Sequence, residues 1–298
     1  MEFDEMIMQR LSHDTELAAI LATFNGFPAV FSMRAPPPER PEWKDKIQYP
    51  RLDFTLDYQG DPARQTSGRL TINIWSDAEI GIAPEVIDLR LRRILHASFA
   101  QADDYPYCLA WMRSDAFEGN DERTIGITVT FDMVAFPPQL TFSPDPIKAM
   151  NDWTKEVIHD AIVIGKDSFD GWYTPSKEKP VVFWRLASQS VHEKRIHVET
   201  WFNVTIEGHV YAINAADRLY ILSAVNTAAG LAHHVTMEDK SPLFIRDISI
   251  RPHLSFLAPG QILINGRFGV LQPKYANPPD QPPLKPVLKD PSMRHEKE

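Results

Sequence analysis

Acidic residues in adjacent or nearly adjacent positions are the side chains of this sequence whose types suit acid–base catalysis. Paired carboxylates perform such chemistry where a cleft shifts their pKa values. In an acidic protein, pairs in polar connecting segments are usually solvated, so we interpret these as surface groups. They are Asp103-Asp104, Asp115 with Glu118, and Asp121-Glu122.

Histidines at two places come nearest to a metal-binding motif. His192 and His197 are five positions apart, and in a strand such residues face opposite sides and cannot share an ion without a bulge. His233-His234 follow a predicted helix and suit contacts with its C-terminal dipole. The sequence has no G-x-S-x-G, Walker, G-x-G-x-x-G or H-E-x-x-H motif. We therefore expect no catalytic site, no metal and no cofactor, in a protein that is not an enzyme.

Tryptophans in predicted strands could form a flat platform for sugar rings. Two of them, Trp75 and Trp201, occupy matching positions in two similar strands, and this favours a structural or subunit-interface role. A carbohydrate-binding module is an alternative interpretation, which glycan binding by a monomer would support. The tryptophans concerned are Trp75, Trp111, Trp184 and Trp201.

The composition indicates a soluble globular protein with room for two domains. Of its 298 residues, 43% are hydrophobic and 24% charged, and no apolar run approaches the length needed to span a bilayer. The N-terminal segment lacks the basic and apolar regions of a secretory signal. Cys108 is the only cysteine, which excludes an intramolecular disulfide and fits a reducing cytoplasm. The net charge of −9 argues against a protein that grips phosphates.

An alternating strand pattern occurs twice in the sequence. SGRLTINIWS (Ser67–Ser76) alternates apolar and polar residues, which is typical of a half-buried antiparallel strand. EKRIHVETWF (Glu193–Phe202) is similar. The offset between Trp75 and Trp201, 126 residues, also relates an arginine near the start of each stretch.

The flanking segments repeat in the same order. Each stretch is preceded by an amphipathic helix and an apolar strand, and is followed by a helix and two strands. Three apolar residues of the last strands match at an offset of 137 residues, namely Ile125, Ile127 and Phe131 with Ile262, Ile264 and Phe268. The predicted helices are Phe3–Phe24, Glu85–Phe99, Ile147–Ala161 and Ala215–Ala229. The first could be interrupted at Ser12, with Asp14 as a new cap, and Asp145 before Pro146 suits the start of the third. Further predicted strands are Leu52–Tyr58, Tyr107–Arg113, Thr124–Phe136, Val181–Leu186 and Gln261–Pro273.

We therefore predict an α+β fold of two tandem copies of a small domain, in which helices pack on an antiparallel β-sheet. The order in each copy is helix-strand-strand-helix-strand-strand. The predicted domains are residues 1–140 and residues 146–273, separated by a proline-rich boundary. Residues 274–298 form a Pro-rich tail that is extended or disordered, and that is either a flexible end or an arm that orders against another subunit.

One connection is long and polar for a hairpin. It is QGDPARQTSG (Gln59–Gly68), and long hairpin loops are often functional. We expect this loop to contact a neighbouring subunit, and the corresponding connection of the second half is shorter. The predicted interface residues are Gln59, Asp61, Arg64, Trp75 and Trp201.

The N-terminal half resembles the tail terminator or tail completion proteins of long-tailed bacteriophages. The resemblance rests on an ordered set of segments and covers residues 1–140 well and residues 146–273 more loosely. The segments are MEFDEMIMQRL, YPRLDFTLDY, GRLTINIWSD, PEVIDLRLRRIL, YPYCLAWMRSDAFE and TIGITVTFDMVAFPPQ. None of them is a catalytic signature.

The resemblance implies a structural virion protein, made in the bacterial host cytoplasm, that forms a ring at the head-proximal end of a phage tail. Such a ring terminates the tail tube and joins it to the head-tail connector or stopper protein, with no membrane contact. DNA passes through the channel without specific binding, which an acidic surface would favour. Family members are usually single domains in rings of six, so a tandem chain implies a hexamer or a trimer with pseudo-six-fold symmetry. Another tail ring component, from the baseplate or distal tail, is the alternative.

Overall fold

The computed structural model of the protein describes residues 1–43, 47–58, 68–79, 82–102, 105–119, 123–139, 143–192, 199–251 and 261–271. The helices in this part of the chain are α1 (Phe3–Ser12), α2 (Thr15–Ile20), α3 (Pro84–Leu95), α4 (Pro146–Val157) and α5 (Ala215–Ala232). The strands up to residue 135 are β1 (Thr23–Phe24), β2 (Phe27–Pro28), β3 (Val30–Ser32), β4 (Arg51–Tyr58), β5 (Gly68–Asp77), β6 (Ser98–Gln101), β7 (Pro106–Glu118) and β8 (Thr124–Ala135). The later strands are β9 (Ile162–Val163), β10 (Trp172–Tyr173), β11 (Val181–Val191), β12 (Glu199–Tyr211), β13 (His234–Thr236), β14 (Pro242–Ile250) and β15 (Ile262–Leu271).

The strands form two large sheets and a small hairpin of β1 and β2. The first sheet has the order β10-β6-β7-β8-β5-β4-β3, and the second has the order β13-β14-β15-β12-β11-β9. The long strands pair antiparallel, whereas the short strands β3 and β9 run parallel to β4 and β11. The prediction of a mixed α+β fold is confirmed. When β10 is left out and the strands of each sheet are numbered from the N-terminus, the two sheets have the same strand order.

Helices cover one face of each sheet and enclose its core. In the first sheet, Ile7 of α1 and Leu91 of α3 pack in one cluster with Ile72 of β5, and all three are fully buried. In the second, Met150 of α4 and Val225 of α5 belong to a corresponding cluster. Burying each side chain of this size contributes about 1.5–3 kcal/mol. No helix of the described residues is both long and apolar enough to cross a membrane.

Two helices begin at aspartate caps. Asp14 Oδ1 accepts a hydrogen bond from the Leu17 amide at 3.0 Å, and Asp145 Oδ1 accepts one from the Ile147 amide at 2.8 Å. The Arg90 guanidinium donates to both Asp14 oxygens, at 3.0 and 2.6 Å, and so ties α3 to α2. Burial has the largest single influence on the pKa of Asp14 and would raise it. The hydrogen bonds from Arg90 and from the Leu17 and Glu16 amides, together with the charge of Arg90, outweigh burial, so the pKa is lowered.

Several predicted helices extend too far. The helix predicted to reach Phe99 ends at Leu95, because Ala97 adopts a left-handed φ of 58° and Phe99 is fully buried in β6. The first predicted helix is interrupted after Ser12, as expected, but α2 ends at Ile20 instead of residue 24, and α4 ends at Val157 instead of residue 161. In each case apolar spacing continued past the point where the backbone turns.

The two halves contact each other through the sheet faces that carry no helices. A separate apolar cluster joins Phe99, Cys108 and Phe136 of the first half to Val181 and Tyr211 of the second. In addition, β10 pairs antiparallel with β6, so residues 172–173 complete the first sheet although they follow the predicted domain boundary. The halves are therefore joined by both side-chain packing and backbone hydrogen bonds.

Candidate functional site

The predicted interface residues Gln59, Asp61 and Arg64 lie outside the described residues, as does the Pro-rich tail. Trp75 and Trp201 are described, and each is half-buried. Because neighbouring residues of a strand alternate between its faces, each tryptophan lies on the side opposite to the helices.

Trp75 belongs to a hydrogen-bonded network on the first sheet. Its indole Nε1 donates to Asp53 Oδ2 at 2.6 Å, and Asn73 Nδ2 donates to Asp53 Oδ1 at 2.7 Å. The Phe117 ring lies edge-on to the indole at 4.8 Å between centroids. The Arg51 guanidinium lies over the same indole at 5.9 Å. These contacts within one chain fix the Trp75 side chain.

Trp201 has different neighbours at the other end of its strand. Its Nε1 donates to Glu199 Oε1 at 2.5 Å, and the Arg267 guanidinium lies 4.4 Å from the ring. Gly269 is opposite Trp201 in the sheet, and a Cβ atom there would lie only 3.3 Å from the indole. The ring therefore packs closely on β15, and a side chain at position 269 would require the indole to shift by a few tenths of an ångström.

The inferred equivalence of Trp75 and Trp201 was wrong. Trp75 pairs with Arg51, the first residue of β4, and so lies far from the hairpin that joins β4 to β5. Trp201 is the third residue of β12 and lies next to the connection from β11. A shared spacing of arginine and tryptophan in two short stretches did not determine the register of the strands.

The strand tryptophans form no open aromatic platform in the described part of the chain. Trp184 is fully buried, and the Arg92 guanidinium covers Trp111 at 4.7 Å. Guanidinium groups also lie over Trp75 and Trp201. This geometry gives the carbohydrate-binding alternative no support.

The acidic and histidine pairs are not brought together into a site by the described residues. Asp115 forms an ion pair at 2.9 Å with Arg113, and both side chains are largely exposed. His197 and the pairs at 103–104 and 121–122 lie outside the described residues. Within the described ranges, no group of three or more His, Cys, Asp or Glu side chains could hold a metal ion.

A cleft that the sequence did not indicate follows the edge of β4. It has a volume of about 610 Å³ and lies between the first turn of α1, at Phe3, and residues 54–58. The Leu52 amide donates to the Ala29 carbonyl, and the Phe54 carbonyl accepts from the Met33 amide. The backbone amide and carbonyl groups of the even-numbered residues of β4 therefore point to this edge. The chain leaves the edge at Met33, whose φ is 69°. In the described part of the protein, no strand continues along β4 beside Leu56.

A second cleft occupies the corresponding place in the other half. It has a volume of about 660 Å³ and lies between the first turn of α4 and the edge of β11. β9 pairs only with Val181 and Val182. Beyond them the Gln139 side chain acts in place of a strand: its Nε2 donates to the Trp184 carbonyl at 2.7 Å, and its Oε1 accepts from the Leu186 amide at 2.9 Å. Gln139 belongs to the segment that connects the two halves.

Replacing Gln139 with alanine should destabilise the protein by about 1–2 kcal/mol, because two backbone groups lose partners at about 1 kcal/mol each. Gln139→Glu should be as harmful, since a carboxylate cannot donate to the Trp184 carbonyl. The measurement is urea denaturation, together with hydrogen exchange at the Leu186 amide, which should become faster. Gln48→Ala is the matched control, because the Gln48 side chain donates a solvent-exposed hydrogen bond to the Pro38 carbonyl at 3.3 Å. Unchanged stability and unchanged Leu186 exchange in Gln139→Ala would refute the bridging role.

Sequence reasoning missed Gln139 because its contacts lie 45 and 47 residues away and involve only backbone atoms of the partner strand. The local signal is weak. Gln139 follows Pro137 and Pro138, which hold the linker extended and cannot themselves donate hydrogen bonds.

Comparison of the sequence with models of protein families and with curated proteins finds no match.

Proposed function

We propose that the chain is a tandem duplication of one α+β domain that assembles into a ring in the virion, at the head-proximal end of a bacteriophage tail. The observation that carries the proposal is the strand order, which is the same in both sheets when β10 is set aside. A chain that presents nearly the same domain twice offers repeated surfaces of the kind that a closed ring uses.

The pairing of the inner strands supports a duplication. Ile127 pairs with Ile74 in the first sheet, and Ile264, its counterpart at an offset of 137 residues, pairs with Ile206 in the second. Both pairs belong to the apolar core beneath the helices. Aligned in this way, Trp75 corresponds to Glu207.

A polar pair on the opposite face follows the same alignment. Thr128 Oγ1 donates to Asn73 Oδ1 at 2.8 Å in the first sheet. At the corresponding positions of the second sheet, Thr205 Oγ1 donates to Asn265 Oδ1 at 3.1 Å. The asparagine and threonine have exchanged strands while the hydrogen bond between them is kept, which favours descent from one domain over coincidence.

The type of assembly that we propose is based on the resemblance of the first half to tail terminators. The ring consists of six chains, or of three chains whose six domains give pseudo-six-fold symmetry. It ends the tail tube, contacts the tube protein on one side and the head-tail connector or stopper protein on the other, and lets DNA pass. The net charge of −9 suits a channel that repels DNA instead of binding it.

The test is assembly with the tube protein of the same virion. Purified chain added to growing tubes should stop their elongation and appear in electron micrographs as a ring on one tube end. Tubes that continue to lengthen, with bare ends, in the presence of excess chain would contradict the proposal. Bovine serum albumin at the same concentration controls for non-specific inhibition.

A further inference from the structure

The outer face of α5 carries no charge over most of its length. The helix spans Ala215–Ala232, and its two charged side chains, Asp217 and Arg218, lie in the first turn. From residue 219 to residue 232 the sequence has none. The α3 helix follows β5 as α5 follows β12, and its outer face carries the exposed charges of Glu85 and Arg93. The uncharged face is therefore a property of α5 itself and is not required by the place of the helix in the fold.

The exposed residues of α5 form one apolar stripe. Helical spacing places them on the side opposite to Val225, which is buried in the core of the second half. Leu219, Tyr220 and Leu231 are 48%, 65% and 75% exposed. Tyr220 has this exposure although the Lys177 ammonium lies 5.2 Å from the centroid of its ring. Adjacent exposed apolar side chains of this size are typical of a contact surface.

Gly230 lies in the same stripe, and the chain itself gives no reason for a glycine there. Its backbone is part of the helix, and a Cβ atom at position 230 would meet no side chain or neighbouring segment within 4 Å. Glycine destabilises the interior of a helix relative to alanine. What Gly230 provides is therefore space on the outside of the helix.

The order of side chains along the stripe is self-complementary. If two α5 helices pack antiparallel about a two-fold axis at residue 225, residues equally far before and after this position lie opposite each other. The pairs that this axis creates are Leu219 with Leu231, Tyr220 with Gly230, and Ser223 with Thr227. The largest side chain of the stripe then faces the glycine, two hydroxyl groups face each other, and leucines pack together at both ends.

Charge and area indicate what covers the stripe. Because the net charge is −9, two copies repel each other where their surfaces are acidic, and they approach most easily where the surface is uncharged. A nucleic acid or an anionic membrane would need basic residues, which the stripe lacks. Two such faces, each about 27 Å long and about 10 Å wide, bury roughly 500 Å². Stable interfaces reach about 1,200 Å² in total, so the pair should be weak and depend on concentration.

We propose that α5 of one copy packs antiparallel on α5 of a second copy, about a two-fold axis at residue 225. This contact goes beyond the proposed ring and does not depend on it, because a two-fold contact joins chains only in pairs and does not by itself close a ring. Since the contact is weak, it pairs free chains or whole rings only at high protein concentration.

Cross-linking of full-length chains that carry one added cysteine tests the pairing. Ala224 and its symmetry mate lie about 3 Å apart along the helix axes, whereas Ala216 and its mate lie about 27 Å apart. Both alanines are exposed on α5, so Ala216→Cys is the matched control for Ala224→Cys. A short bismaleimide cannot span the larger distance, and it should link Ala224→Cys chains about tenfold faster, because pairing raises the local concentration. The native Cys108 is 1% exposed and does not compete.

Gly230→Ala tests the register of the same pair. The added methyl group should not destabilise the single chain, because alanine favours the helix and the position is open. In the pair it occupies the space that Tyr220 of the second copy fills, so the dissociation constant should rise about tenfold. Sedimentation equilibrium over a range of concentrations measures the dissociation constant, and urea denaturation of a dilute sample checks the fold.

Equal cross-linking rates of the two cysteine variants overturn the proposal, and so does an unchanged dissociation constant in Gly230→Ala. Either result leaves the ring untouched. Rapid cross-linking of Ala224→Cys in a protein that forms no ring supports the α5 contact and refutes the ring alone. A wild-type mass of one chain at every concentration, without cross-linking, refutes both.

Discussion

Replacing Trp184 with alanine should destabilise the protein by about 3–5 kcal/mol, the usual cost of removing a large buried aromatic side chain. Trp184 is fully buried in the core of the second half. Its Nε1 donates to Thr154 Oγ1 at 2.8 Å, and Thr154 Oγ1 donates in turn to the Met150 carbonyl at 2.7 Å. The substitution therefore leaves a cavity between α4 and β11 and removes the hydrogen bond that joins them. Urea denaturation followed by circular dichroism measures the change.

Gly208 provides a second variant that separates packing from hydrogen bonding. A Cβ atom at position 208 would lie 2.3 Å from the Trp184 ring, so Gly208→Ala should cost about 1–3 kcal/mol by overpacking. In a Trp184→Ala background this cost should largely disappear, because the ring is gone. Trp184→Phe keeps most of the apolar volume and loses the donor, and should cost less than Trp184→Ala. If Gly208→Ala is equally harmful with and without the ring, the packing interpretation is wrong.

Stability should fall as the pH decreases from about 7 to 4, because His209 is buried in its neutral form. Burial, and then the positive charge of Arg185, lower the pKa of His209 from 6.5 to about 4. Below pH 6.5 the unfolded chain binds a proton that the folded chain does not, so the contribution is complete above pH 6.5 and is lost towards pH 4. The shift corresponds to about 3 kcal/mol at most.

The His209 ring stands at the junction of the halves, near the rings of Phe183 and Tyr211 at 6.0 and 6.3 Å between centroids. His209→Gln should therefore flatten the pH dependence of the free energy of unfolding between pH 6.5 and 4. His159→Gln, at an exposed position, is the control. Burial also lowers the pKa of His96, which remains in both variants, so their difference isolates His209. A slope in His209→Gln as steep as that of the wild type would exclude this origin.

Local rules predicted the elements whose signals lie within a few residues. The aspartates Asp14 and Asp145 act as caps as predicted, and the alternating pattern around Ile72 gives a strand with one buried face. Such features depend on the backbone and side chains of a single segment. They were sufficient to define a mixed α+β chain and the order of its long strands and helices.

The candidate contact surfaces depend on register and on distant partners, which local patterns do not encode. Trp75 and Trp201 share a sequence spacing but lie at opposite ends of their strands, because pairing with β4 and β15 determines the register. In the sequence alone, Gln139 is an ordinary linker residue, because its hydrogen bond with the Leu186 amide depends on the position of β11 in the fold. The short strands β3, β6, β9, β10 and β13, of two to four residues, carry too little periodicity to be predicted.

The mass of the purified wild-type protein, measured by light scattering over a range of concentrations and with negative-stain images of the same sample, tests the central claim most directly. The proposed assembly predicts three or six times the chain mass of 34.0 kDa and rings with a central hole. If the ring contains three chains, both halves of each chain contribute one domain to a pseudo-six-fold ring. If it contains six chains, the first halves form the ring and the second halves form an additional layer. A mass of one chain at every concentration, with no rings in the images, would contradict the account.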